Sequence, residues 1–184
     1  MRIEESKYIL PDGREVLIRS AVPNDAEKIK ELREVTTSET HFMARDPEDG
    51  PFNAERIKGV LGDIERSTRD FTITAFYGDE VVGDLSVMTV RPHLKLLHRA
   101  ALGVSIRQAF AGGGLGSYMI KAALDQARKN GFEQVELGVY SDNEKARHVY
   151  AKAGFKEYGR TPKAYKLKDG SYRDEIIMVN IFDE

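Results

Sequence analysis

Ala100-Ala101-Leu102-Gly103-Val104-Ser105-Ile106-Arg107, followed after Gln108-Ala109-Phe110 by Ala111-Gly112-Gly113-Gly114-Leu115-Gly116-Ser117, is the stretch whose reading decides the fold. Its first half alternates Leu102, Val104 and Ile106 with Gly103 and Ser105, the period-two pattern of a strand with one face in the core. Its second half is a glycine turn. Beyond it Ile120, Ala123, Leu124 and Ala127 recur at helical spacing as far as Asn130-Gly131, a pair suited to a helix C-terminus. A strand that runs through glycines into a helix presents unpaired backbone N–H groups and the positive end of a helix dipole to an anion. Glycines also admit dihedrals closed to other residues and remove side chains that would hold a diphosphate away. Three in a row add chain entropy that an ordinary turn avoids, so a close-approach role is favoured over a connection without a ligand.

The turn alone does not name the anion. A P-loop needs a lysine and a Ser/Thr after its last glycine, whereas Gly116 is followed by Ser117-Tyr118, and no lysine precedes Lys121. A dinucleotide fingerprint begun at Gly112 finds Ser117 where its third glycine belongs.

Outward from this centre, Phe71–Tyr77 and Val81–Val90 read as a hairpin around Gly78-Asp79-Glu80. Before them the first ordered element is a strand over Glu15–Arg19, after the turn Pro11-Asp12-Gly13. A helix follows, with Asn24 as N-cap, Glu27 three residues on, and a stripe of Ile29, Leu32 and Val35. A second helix places Ile57, Val60, Leu61 and Ile64 on one face, weakened by Gly59 and Gly62 at about 1 kcal/mol each relative to alanine. The segment 39–51 between them has no periodicity and reads as a loop or a lid on the substrate side. Downstream, Gln134–Tyr140 is a strand, and Ser141 with Glu144 suggests a capping box. A short helix then carries Ala146, Val149, Tyr150 and Ala153 to Gly154, and Phe155–Leu167 pairs with Tyr172–Ile181 across Asp169-Gly170. The order β-α-α-β-β-β-α-β-α-β-β predicts a mixed α/β sheet with helices on its faces, in one domain spanning 1–184.

Composition narrows the function classes. The chain has 184 residues, 32% charged and 41% hydrophobic, and a formal net charge of −2, so nothing global draws it to nucleic acid or an anionic membrane. No apolar run reaches the roughly 18 residues of a membrane span, and the first residues lack a signal-peptide core, so a cytoplasmic location is expected. With no cysteine there is neither a thiolate nucleophile nor a cysteine metal site. His41, His93, His98 and His148 have no compact ligand spacing, so no metal is expected.

Asn143 and Tyr150 stand seven residues apart, about two helical turns, and can point to one side. Asn143 offers a donor and an acceptor to an amide-rich ligand. Tyr150 offers a phenol able to protonate a leaving group. Equally, Asn143 can cap the helix while Tyr150 packs its ring in the core. Taken with the glycine turn, the stretch Leu102–Phe155 resembles the GCN5-related N-acetyltransferase family. The two motifs are Ala111-Gly112-Gly113-Gly114-Leu115-Gly116 and Asn143-Glu144-Lys145-Ala146-Arg147-His148-Val149-Tyr150-Ala151-Lys152-Ala153-Gly154-Phe155. Weaker similarity runs from Ile18-Arg19-Ser20-Ala21 to Tyr172-Arg173-Asp174-Glu175-Ile176-Ile177-Met178.

The resemblance implies a central, mostly antiparallel twisted sheet in which one parallel pair of strands splays, with helices on both faces. It also implies acetyl-coenzyme A as acyl donor. The backbone of Val104, Ser105 and Ile106 would pair with the pantetheine arm, and the amides from Gly112 through Gly113, Gly114, Leu115 and Gly116 to Ser117 would hold the pyrophosphate. Asn143 would contact the pantetheine arm or a water, Arg147 would reach the adenosine end, and Tyr150 would protonate the departing thiolate. Two positions depart from the family. Ala111 stands where Arg or Gln is usual, leaving cofactor binding to backbone donors. Ala101 stands nearest to where a glutamate often relays the proton from the amine, so His98, Glu136 or a water relay takes its place; His98 needs the smallest adjustment to act near neutrality. The expected reaction is direct acetyl transfer to a primary amine, with an amino acid favoured and a peptide N-terminus or polyamine as alternatives. A homodimer is the assembly entertained. The competing classes are a non-catalytic coenzyme A-binding domain, favoured by the missing glutamate, and a nucleotide or nicotinamide enzyme.

Overall fold

In the computed structural model, which describes residues 2–182, eight strands form one sheet. They are β1 (Ser6–Ile9), β2 (Glu15–Arg19), β3 (Phe71–Tyr77), β4 (Glu80–Thr89), β5 (Arg99–Ile106), β6 (Gln134–Tyr140), β7 (Lys156–Lys166) and β8 (Tyr172–Ile181). Their spatial order is β1-β2-β3-β4-β5-β6-β8-β7, and only β5 and β6 run parallel. Four helices, α1 (Ala26–Glu39), α2 (Ala54–Arg66), α3 (Leu115–Lys129) and α4 (Glu144–Lys152), cover the two faces. The mixed, mostly antiparallel sheet expected from the sequence is the one observed.

The alternation within each strand sorts the core into two layers. Phe71 and Ile73 of β3, Leu85 and Val87 of β4, and Leu102 of β5 pack with Leu115, Met119, Ile120 and Ala123 of α3 and with Tyr150 of α4. Phe76 and Val81 turn the other way and meet Ile29 and Leu32 of α1 and Ile57 and Leu61 of α2. With helices on both sides, six successive residues of β3 are buried, which is why that strand reads as a continuous run.

Several local expectations need correction. Strand β1 precedes the first element foreseen: Ser6–Ile9 pairs antiparallel with Glu15–Ile18, closed by the Pro11-Asp12-Gly13 turn with Gly13 at φ +89°. Asn24 is not an N-cap; it lies in a 3-10 turn, Pro23–Asp25, that leads into α1. Its neighbour Asp25 accepts from the Val22 amide and from Arg19 at 2.7 and 3.0 Å. In α2, Val60 is exposed, so the buried stripe is Ile57, Leu61 and Ile64, and Asn53 caps the helix by accepting from the Arg56 amide. The cap of α4 is Asn143, whose Oδ1 accepts from Ala146 N at 3.2 Å, rather than Ser141.

One buried charge on the α1 side bears on stability. Asp84 of β4 accepts a 2.8 Å hydrogen bond from Thr74 of β3, and both are buried. Burial raises its carboxyl above the ordinary 3.8, against the Thr74 bond and the charge of Arg33. The folded state therefore keeps a proton over a pH window in which the unfolded chain has lost it, and this group lowers stability as pH climbs through that window. Asp84→Asn keeps an acceptor for Thr74 and removes the penalty. Thermal unfolding should show a midpoint raised by several degrees at pH 7–8, the gain shrinking toward pH 4; a lowered midpoint at pH 7 would count against it.

Candidate active site

The open part of the sheet is set by a short parallel pairing. Only Arg99–Ala101 of β5 pair with Gln134–Glu136 of β6. From Leu102 onward β5 stays bonded to β4 as far as Ile106, while β6 follows β8 to Tyr140. The two strands thus part like the arms of a V, leaving backbone groups along the inner edge of β5 without a strand partner. Continued across the gap, the register sets Gly103 opposite Gly138, and Ala101, Gly103 and Gly138 are all exposed. At these three positions the floor on the α1 side of the V carries no side chain of its own larger than a methyl group.

At the end of β5 the chain turns through Gln108–Phe110 into the glycines and α3. Gly112 and Gly114 take φ of +81° and +86°, values that disfavour any side chain. None of the six amides from Gly112 to Ser117 donates to a described residue; the first helical bond in this region is Tyr118 N to Gly114 O. The turn is braced from behind by the β1 hairpin. Tyr8 donates to the Gly113 carbonyl at 2.8 Å, and a Cβ at Gly113 would lie 2.7 Å from Leu10 Cδ2 and 3.1 Å from Pro11 Cδ. At Gly114 it would lie 2.5 Å from the Tyr8 hydroxyl. Two of the glycines thus answer to internal packing. The amides nonetheless make a cradle of free donors at a helix start, which fits a diphosphate. Ala111 is exposed and adds no polar group.

On the other arm, the Oδ1 of Asn143 is held by its capping bond, which leaves Nδ2 without a described partner. Tyr150 is buried with its ring 5.8 Å from Phe155, and its hydroxyl makes no hydrogen bond to a described residue. Burial pushes this phenol up to about 12, so it is a proton donor at any ordinary pH. Capping and core packing, the plain structural uses of these two residues, are thus both observed, and each leaves a polar group over. Arg147 is committed: its guanidinium binds Glu157 at 2.7 Å and the Ser141 carbonyl at 2.9 Å.

Of the two proposed bases, His98 lies away from the open floor, and Glu136, opposite Ala101 at its closed edge, is committed to Arg99. His98 precedes β5 at its closed end, where its carbonyl accepts from the Glu133 and Gln134 amides. Four residues, about 13 Å of strand, separate it from Leu102 at the start of the V. Glu136 holds Arg99 at 2.7 Å.

Aromatic residues of the segment 39–51, read from the sequence as a loop or a substrate-side lid, meet those of β6 and β7 here. Tyr140 stacks on Tyr165 at 3.7 Å between centroids, Phe42 and His41 pack edgewise on Tyr140, and Tyr140 donates to the Met43 carbonyl. The 40–53 loop is thereby fixed over the end of β6. His41 and Arg173 share Asp142, at 3.3 and 2.7 Å. Next to this cluster a cleft of about 570 Å³ opens between Thr37–His41 and Leu167–Asp169. An interior strand glycine such as Gly138 is the signal that could have pointed here, since it marks a close approach.

The model of the acetyltransferase (GNAT) family matches residues 27–155 of this sequence. The chain belongs to the GNAT family. Membership carries acetyl transfer from acetyl-CoA as the class of reaction. Over 110 residues, 59% of this chain and 67% of the relative, it is 28% identical to the L-amino acid N-acetyltransferase AaaT of Escherichia coli K12. A GNAT-family acetyltransferase of Streptococcus pneumoniae superposes with a TM-score of 0.85 at 24% identity, covering 91% of this chain and 99% of its own. The yncA protein of Salmonella typhimurium, solved with its cofactor acetyl-CoA, gives 0.80 at 20% identity over 92% and 95%. Both share the GNAT fold with this chain.

Proposed function

We propose that this GNAT protein transfers the acetyl group of acetyl-CoA directly to the primary amine of a small molecule, with an amino acid as acceptor. The observation that carries the reading is the V between β5 and β6, closed at one end by pairing and leading at the other into the turn whose six amides donate to no described residue. The amides of Gly112–Ser117 hold the pyrophosphate, and the inner edge of Val104–Ile106 receives the pantetheine amides. Bound there, the thioester supplies an activated acyl carbon. Asn143 Nδ2 donates toward the pantetheine arm, and Tyr150 gives its proton to the sulfur as it leaves. Without cysteine, transfer has no thiol to pass through.

An amino acid acceptor draws on two supports. One is the similarity to AaaT. The other is Arg173, which keeps Nη2 free of described partners beside the acceptor cleft while its other nitrogens hold Asp142, Ser171 and the Tyr172 carbonyl. Lys168 is neutralised by Glu48 and Asp46 and offers less to a carboxylate. The deciding experiment is a turnover screen with acetyl-CoA across amino acids, polyamines, aminoglycosides and N-terminal peptides. Acetylation of one or more amino acids above the other classes is expected. A preference for polyamines or peptides would move the acceptor assignment, and tight acetyl-CoA binding with no turnover on any amine would favour a regulatory coenzyme A-binding domain.

A further inference from the structure

Glu175 of β8 is opposite Tyr140 in the β6–β8 register, yet its side chain does not stay there. It lies back over Gly138, two residues toward the closed end of the V. A Cβ built on Gly138 would meet Glu175 Cδ at 2.9 Å and Cγ at 3.3 Å, with Oε1 closer still. Gly138 has no positive φ, so the backbone does not require glycine here; the room it leaves is filled by this carboxylate. Its one described polar partner is the Tyr165 hydroxyl, which donates to Oε1 at 2.9 Å, and no cation pairs with it among the described residues. Burial, reinforced by the neighbouring carboxylate, holds the Tyr165 phenol above its ordinary value, so it remains a donor. Tyr165 is aimed by a bulge: between Thr161 and Tyr165 β7 advances four residues while β8 advances two, with Lys163 at φ +51° and its amide on Asp174. Bulges beside sites re-aim side chains in this way.

The geometry points to Glu175 as the carboxylate that receives the ammonium of the acceptor and takes its proton. This rests on the transferase reading above and fills the role left vacant at Ala101 by a residue from a different strand. The carboxylate overhangs Gly138, across the gap from Gly103, one step toward the closed end from the Val104–Ile106 edge. A thioester threaded along the free edge of β5 from the glycine turn would present its acyl carbon toward this end. An unpaired carboxylate held by one phenol suits a protonated primary amine, and the small residues Ala101 and Gly103 across the gap leave room for it. The protons balance. The amine arrives as R–NH3+ and gives one proton to Glu175. Its freed pair forms the N–C bond as the C–S bond breaks, and the sulfur takes the Tyr150 proton. The second proton from nitrogen restores the phenol through solvent, and Glu175 releases its own, so one proton is lost per acetyl moved.

The test uses Glu175→Gln and Gly138→Ala in the full chain, with n-butylammonium as a probe bound to the CoA-saturated protein and followed by NMR shifts. It adds steady-state kinetics with whichever amine the screen identifies. Glu175→Gln removes the charge; Gly138→Ala leaves the glutamate in the chain but displaces it from the floor. Both are expected to weaken butylammonium at least tenfold, to lower kcat/KM for the amine by 10- to 100-fold, and to leave the acetyl-CoA Kd within twofold. Equal probe affinity in the wild type and both variants, or no binding to the wild type, overturns the assignment. Probe binding that depends on Glu175 without turnover on any amine sinks the transferase reading and leaves the ammonium site standing. Should Glu175→Gln fail to fold, Gly138→Ala and the wild type still decide it.

Discussion

Tyr150→Phe is expected to lower kcat by about 10²–10³, within the range removed with a positioned general acid, while the acetyl-CoA Kd stays within twofold. The substitution deletes one oxygen that bonds to no described residue and keeps the ring against Phe155, so neither packing nor a hydrogen bond is lost with it. The thermal midpoint should accordingly remain within about 2 °C, since a change near 1 kcal/mol shifts a chain of this size by about 2–4 °C. The pH profile adds a second check. With the phenol raised to about 12 by burial, Tyr150 stays protonated to beyond pH 10 and contributes no descending limb below it. Unchanged kcat, or a fall matched by loss of cofactor affinity, would return Tyr150 to a purely structural role.

Gly114→Val carries the second large effect, on cofactor binding. At φ +86° a β-branched residue is strained by about 1–3 kcal/mol, and its Cβ would displace the Tyr8 hydroxyl from the Gly113 carbonyl. If that strain is relieved by moving the turn, the amides lose their common aim and the acetyl-CoA Kd rises about 10- to 100-fold. Gly112→Ala is the graded control. Nothing lies within 4 Å of its Cβ, so only the dihedral penalty of about 1–2 kcal/mol applies and the loss should be smaller. Calorimetric titration of the two variants separates the cases; equal affinities for Gly114→Val and wild type would show that the turn is not the phosphate cradle.

What could be read from the sequence, and what could not, divides along physical lines. Glycine turns and strand alternation are local signals, so α3, β6, α4 and the β7–β8 hairpin appear where the pattern sets them. Strand β1 was missed because its Ser-Lys-Tyr-Ile has half-exposed alternation and pairs only with its neighbour at the sheet edge. Two helix starts fall one or two residues from the expected ones, Asp25 for Asn24 and Asn143 for Ser141, since such residues look alike until the backbone commits one of them. The base was the hardest. Glu175 is far along the chain from Tyr140, where β6 ends, and only the β6–β8 register and the missing Cβ at Gly138 bring it there. Linear spacing from the glycine turn leads to Ala101, a side chain with no proton to exchange, and to its neighbours His98 and Glu136.

The bracing of the glycine turn by the β1 hairpin has a thermodynamic corollary. Tyr8 and Leu10, at the end of the first hairpin strand, and Pro11 in its turn hold the glycine turn in place. Ligand binding at the turn and closure of that hairpin are therefore linked equilibria: whatever favours one favours the other by the same free energy. Amide protons shared by the hairpin, Leu10 N to Arg14 O and Gly13 N to Leu10 O, should exchange more slowly with deuterium once coenzyme A is bound. Deleting the first ten residues should cost affinity at a site they do not line.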